Sequence, residues 1–262
     1  MQKKSWFIIA GTFAAAILGV LLRGYQLARV YDPISMMPRE GSPTSLVLAL
    51  LPILYIAFLI LLLRGKKYQL PAEGQEKLAA GRTLLTPLLS AMLGLVICVS
   101  GILMLRGIFS YPFPNLRQIV AYFVIAGGIG IGLMGLFART PEKSVAAPLF
   151  ILPVACFCIY LIVFYKEMQN DPVVWNYAVQ ILAVAANALS FFHLAGFVFH
   201  RPRLLHAAFF CFLAFTVNIT CLADRLILCE TLMFAAMALT NLLFAITILE
   251  NIDRSGSVPV ED

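Results

Sequence analysis

Charge is scarce in this sequence. Asp, Glu, Lys and Arg make up 12% of its 262 residues, about half of the roughly 25% usual in soluble domains. A chain so poor in charge cannot cover a water-facing surface, and 61% of its residues are hydrophobic, with a mean hydropathy of +0.93. Histidine is rarer still, limited to His193, His200 and His206. The sequence contains no H-E-x-x-H, G-x-S-x-G or G-x-x-x-x-G-K-[ST] motif and no pair of acidic residues within one apolar run. The common metalloprotease, hydrolase and phosphate-loop chemistries therefore have no carrier here. Cysteine is present six times, mostly inside apolar runs, where a free thiol behaves as a small hydrophobe. Cys156 and Cys158 are two residues apart and would point to different faces of a helix, a poor spacing for metal. No metal ligand set and no cofactor is expected. Only Cys221 and Cys229 are placed to meet, across a short hairpin.

What the sequence has is length without charge. About 18 or more consecutive apolar residues can cross a hydrocarbon core about 30 Å thick. Eight such runs are present, at approximately 6–23, 45–63, 83–105, 118–137, 147–165, 174–199, 204–223 and 226–249. The expected fold is all-α, a polytopic transmembrane helical bundle of about eight spans forming a single integral membrane domain over 1–262. A polar tail follows at 251–262. The first run reads as a retained anchor rather than a cleaved signal, because it continues past "FAAA" to Arg23. "YDP" at 31–33 and "NDP" at 170–172 hint at a 4+4 duplication, 1–140 and 141–262, as in parallel-repeat transporters. Asp-Pro is also a common turn pair, which accounts for both without a duplication.

Orientation follows the distribution of Lys and Arg. With the N-terminus inside, the inner segments hold twelve of them, concentrated in "RGKKYQLPAEGQEKLAAGR" (64–82), and the outer segments seven, including Arg23, Arg117 and Arg225. Both termini are therefore expected to be cytoplasmic. The net charge of +6 is read the same way, as contact with anionic lipid headgroups rather than nucleic acid. Trp6 and Trp175 fall at span ends, where interfacial anchors belong. The longer outer loop, 24–45, reads as a solvated connector or as a lid over an outward-facing cavity.

The stretch "GGIGIGLMG" at 127–135 contains G-x-G-x-x-G in Gly130, Gly132 and Gly135. A dinucleotide fingerprint needs a strand before it, a helix after it and an acidic residue about 20 positions on. Apolar sequence runs directly into and out of these glycines, and no acidic residue lies where one is needed. No nucleotide is expected. Gly128, Gly132 and Gly135 instead read as a small-residue face on which two helices pack closely in lipid. "NIT" at 218–220 matches a glycosylation acceptor but lies within an apolar run, so Asn218 is expected to hydrogen-bond between helices.

Polar side chains in hydrocarbon are costly and usually face protein or a watery cavity, so they are the places to look for function. The later runs carry most of them: Asn187, Ser190 and His193 in the sixth, Asn218 in the seventh, Glu230 and Asn241 in the eighth. Glu230 and Asn241 are eleven residues apart, three helical turns, and so share a face. Glu230 starts an inward run and His193 ends one, which sets the two near opposite membrane faces. Glu230 lies five residues after Arg225, close enough for that arginine or headgroup water to satisfy it.

The leading reading is a permease or permease-like subunit moving a small solute along Asn187, Ser190, His193, Asn218, Glu230 and Asn241. The alternative is a non-catalytic membrane subunit that anchors or stabilises a larger complex with other membrane proteins. An intramembrane lipid enzyme using Asp32, Arg39 and Glu40 is disfavoured, because nothing beside them resembles an activated nucleophile or metal set. Paired histidines keep a haem-binding subunit open as a minor reading. Compact loops favour a bacterial plasma membrane.

Overall fold

The computed structural model describes residues 3–30, 43–64, 84–107, 114–137, 143–169, 177–199, 203–224 and 226–255. Eight α-helices account for nearly all of them: α1 (Lys3–Tyr25), α2 (Pro43–Arg64), α3 (Leu85–Arg106), α4 (Pro114–Phe137), α5 (Lys143–Met168), α6 (Ala178–Val198), α7 (Leu204–Cys221) and α8 (Leu228–Ser255). α1 continues into one wider turn, Gln26–Val30, and no strand occurs among the described residues. Each helix is long and apolar enough to cross a membrane. This is the structure hydrocarbon demands, because a helix satisfies its own backbone groups where no water can. The chain is a multi-pass membrane protein with an all-α bundle fold.

Helices α3 to α8 pack in chain order, and α8 returns to α3, closing a circuit of six. α1 lies outside that circuit against α7, and α2 lies against α1. α7 and α8 are consequently the most enclosed helices, and α2 is the most exposed to lipid. The exposed side chains of α2 include Leu46, Ile53, Leu54 and Leu61, as a lipid-facing surface requires. Ser5 Oγ, at the start of α1, donates to Asp253 Oδ2 near the end of α8 at 2.6 Å. Both ends of the helical array therefore meet at one face, here termed the terminal face. The same bond shows that residues 251–255, expected in the polar tail, continue α8, and that Asp253 is buried. Residues 256–262 of that tail, residues 31–42 of the loop expected at 24–45, most of the basic loop, both Asp-Pro turns and Trp175 lie outside the described residues. Trp6 is exposed at the start of α1.

The glycine stretch lies inside α4, with uninterrupted helix on both sides. Its two edges face two neighbours. A Cβ built on Gly128 would stand 2.8 Å from Gly94 O and 2.9 Å from the Cys98 amide nitrogen of α3. One on Gly135 would stand 2.8 Å from Pro87 Cα. α3 answers with its own glycine, since a Cβ on Gly94 would reach Gly128 O at 2.5 Å and Gly132 Cα at 2.6 Å. Ser90 Oγ seals the contact by donating to Ile131 O at 2.5 Å. On the other edge, a Cβ on Gly130 would lie 2.8 Å from Leu149 O of α5. Leu149 is four residues before Pro153, which has no N–H to return to that carbonyl. Gly130 thus makes room at the place where the proline disturbs α5.

Gly128→Val is expected to destabilise the detergent-purified protein by about 1–3 kcal/mol, the usual cost of overpacking, and to lower its thermal midpoint. Gly132→Ala should be tolerated, because its Cβ would make only ordinary contact, 3.7 Å from Ala91. Equal loss from both substitutions would contradict this packing.

Candidate functional site

Polar side chains gather at three depths of the bundle. Near the middle of α6 and α8, and close to the end of α7, Asn187, Asn218 and Asn241 come together and are wholly buried. Asn187 and Asn218 exchange amide bonds: Asn187 Nδ2 donates to Asn218 Oδ1 at 3.0 Å, and Asn218 Nδ2 donates to Asn187 Oδ1 at 2.9 Å. Asn241 Nδ2 donates to the same Asn187 Oδ1 at 2.8 Å. Each of the last two also returns a hydrogen to its own helix, Asn218 to Ala214 O and Asn241 to Met237 O. Two acceptors therefore fix the orientation of the Asn241 amide and turn its Oδ1 elsewhere. That oxygen is buried without a hydrogen-bond partner among the described residues. Ser190 closes the group from below, donating to Asn187 O at 2.9 Å.

At the face opposite the terminal one, Arg117 of α4 is buried between two carboxylates. Its Nε donates to Glu167 Oε1 at 2.8 Å, and its second terminal nitrogen lies 2.7 Å from Glu167 Oε2. The remaining nitrogen is 3.4 Å from Glu230 Oε1 of α8 and 3.4 Å from the Tyr160 hydroxyl. Tyr160 also hydrogen-bonds Glu230, and its ring lies beneath the guanidinium at 5.6 Å. One guanidinium thus faces two buried carboxyl groups among the described residues. A second pair is adjacent: Arg23 Nε donates to Asp224 Oδ1 at 2.6 Å, while another Arg23 nitrogen donates to Gln26 Oε1 at 2.7 Å. Gln180 of α6 hydrogen-bonds Asp224 as well. Burial raises the Asp224 carboxyl above its ordinary value, although Arg23 and Gln180 pull it down. Cys221 and Cys229, beside these groups, are free thiols.

At the terminal face, His193 is half-buried near the end of α6. Its ring stacks on Phe210 at 4.9 Å and lies 5.7 Å from that of His206. A cavity of about 560 Å³ opens beside it between α5 and α6.

Of the residues singled out in the sequence, Asn187, Asn218, Asn241 and Ser190 form one cluster. Glu230 and His193 do not join it; they occupy the two opposite ends of the bundle. Met233 and Met237, both buried, lie on α8 between Glu230 and Asn241. Glu230 takes its cation from Arg117, a residue counted in the sequence as an outer-loop charge. Arg225, the partner expected there, lies outside the described residues. Sequence reading counted Arg23 and Arg117 only as outer-segment charges and missed Glu167, Tyr160 and Asp224. Their signal was position: each lies within about two turns of a span end, where a charge can be placed in the headgroup zone or turned inward.

Removing Arg117 leaves two buried carboxylates uncompensated. Arg117→Leu is expected to destabilise the protein by about 3–5 kcal/mol, read as a fall in thermal midpoint. Adding Glu167→Gln and Glu230→Gln to that variant should recover part of the loss. In the central cluster, Asn187→Leu should cost more than Asn241→Leu, because Asn187 bonds both partners and interhelical bonds in membranes average about 0.6 kcal/mol each. The reverse order would show that the amides are not held as described.

Comparison with protein-family models, with curated proteins and with solved structures gives no match.

Proposed function

We propose that the chain is a permease or permease-like subunit, oriented with both termini in the cytoplasm, and that its solute path passes Asn241 between α6, α7 and α8. The observation that carries this reading is Asn241 Oδ1, an acceptor buried at mid-bundle with no donor among the described residues. In hydrocarbon such a group is expensive unless something supplies a hydrogen, and a buried unpaired carbonyl costs about 1–3 kcal/mol. An N–H or O–H of a passing solute, or a water in its path, supplies it. The polar groups extend in both directions along the bundle: Glu230 lies about 16 Å from Asn241 along α8, and His193 about 9 Å from Asn187 along α6, at 1.5 Å per residue. Met233 and Met237, flexible and unbranched, fill the interval on α8.

The test is flux in proteoliposomes, by counterflow of labelled amines, amides, amino acids and sugars. Saturable exchange of at least one of these is expected. Asn241→Leu should reduce it about tenfold, the equivalent of one lost hydrogen bond of ordinary strength, while the protein stays monodisperse. Absence of flux across the panel, together with stoichiometric copurification of another membrane protein, would overturn the permease reading in favour of an anchoring subunit.

A further inference from the structure

The cavity at the terminal face has a chemistry unlike the rest of the bundle. Its walls are apolar side chains of α5 and α6, among them Ile151, Val154, Phe192 and Phe199, and its polar lining side chains are His193 and Arg203. Phe192, Phe199 and Ile151 are exposed, so the opening faces the surroundings of the bundle rather than its interior. The volume of about 560 Å³ is within the range of roughly 300–1,000 Å³ usual for small-molecule sites. Its position divides it by depth. His193 is five residues before the end of α6, and Arg203 immediately precedes α7, so the polar edge lies at the headgroup level and the apolar walls reach toward the acyl chains.

The charge at that edge is unmatched. Arg203, His193 and His206 stand together, with the two imidazole rings 5.7 Å apart, and none of the three has an ion-pair partner among the described residues. At the opposite face, by contrast, Arg23 and Arg117 are both buried against carboxylates. A guanidinium with two imidazole N–H groups beside it is a donor set suited to a phosphate diester.

We infer that the cleft between α5 and α6 at the terminal face holds one anionic phospholipid, its phosphate at Arg203 and His193 and one acyl chain along Val154 and Phe192. A neutral or zwitterionic lipid would fill the walls equally well but would leave the cationic edge with a weaker counter-charge. A free phosphate would match the edge and leave the walls empty. The inference is independent of transport, because it concerns retention of a lipid by the resting protein.

Native mass spectrometry of the full-length protein from mixed micelles tests it. The probes are phosphatidylglycerol and phosphatidylcholine with identical tails, and inorganic phosphate as competitor. One phosphatidylglycerol per chain should be retained about fivefold over phosphatidylcholine, the preference one basic residue confers at a membrane surface. Arg203→Gln should abolish that preference, and Arg203→Lys should keep most of it. Ile151→Trp, at an exposed position on the cleft wall, should reduce retention of both lipids. Equal retention of the two lipids, or a preference that survives both Arg203→Gln and Ile151→Trp, would overturn the assignment. So would full displacement by inorganic phosphate, which would show an anion site without the cleft.

Discussion

A side-chain amide in hydrocarbon has no water to fall back on, and the structure of this protein depends on how Asn187 meets that condition. Its Nδ2 and Oδ1 exchange bonds with Asn218, and the same Oδ1 accepts from Asn241. Three helices are thereby fixed in rotation and in depth by one residue. Apolar packing alone would not do this, because Leu against Leu is no better than Leu against lipid. The flat helices of the bundle, apolar on nearly every side, need such a polar register mark. The glycines supply the complementary term: Gly94 and Gly128 let α3 and α4 approach until backbone touches backbone, where dispersion is densest.

The bundle is organised around α8 more than its chain order implies. Cys229 O accepts from Ser100 of α3 at 2.7 Å, Glu230 meets Arg117 of α4 and Tyr160 of α5, Asn241 meets Asn187 of α6, and Asp253 accepts from Ser5 of α1. One helix is thus tied at both ends and in the middle to five others. α2 stands at the other extreme: it packs on α1 and α7, with Leu59 and Leu63 buried and the Tyr55 hydroxyl donating to Thr12 Oγ1 at 2.8 Å.

How much of this was legible follows from the range of each signal. The eight spans could be read because hydropathy is local: each run is summed over its own residues, and the expected boundaries fall within four residues of the helix ends except at the end of α8, which runs six residues further. Asn187, Asn218 and Asn241 stood out because an amide in an apolar run is locally anomalous, and the structure brings those three together. Glu230 stood out for the same reason, yet its partners did not. Arg117 and Glu167 are fifty residues apart in sequence and meet only because α4 and α5 are antiparallel neighbours. Arg23 and Asp224 are two hundred and one apart. Charges at span ends also carry an ambiguous local signal, since the same arginine serves as a loop charge or as a buried ion. Glycine spacing shows the converse. Gly128, Gly132 and Gly135 were visible as a face, but Gly94, the residue that meets that face, has no neighbour in sequence to mark it.

The two ends of the bundle solve the same electrostatic problem in opposite ways. Arg23 and Arg117 could have reached toward headgroups, as arginines near span ends commonly do. They turn inward instead and are buried against Asp224, Glu167 and Glu230. Each such pair must repay a desolvation cost of several kcal/mol per ion, so burial here is a poor source of stability. What it does provide is closure: α1, α4, α5, α8 and the α7–α8 turn are drawn together at one face by groups that tolerate no replacement by lipid. At the terminal face Arg203 and His206 stay exposed, His193 is half-buried, and a cleft remains beside them. Among the described residues, one face is thus held by charges that pair with each other, and the cleft edge at the other carries Arg203, His193 and His206 without an ion-pair partner. The unpartnered carbonyl of Asn241 lies between the two. On the permease reading proposed above, the solute path runs between these two differently built faces.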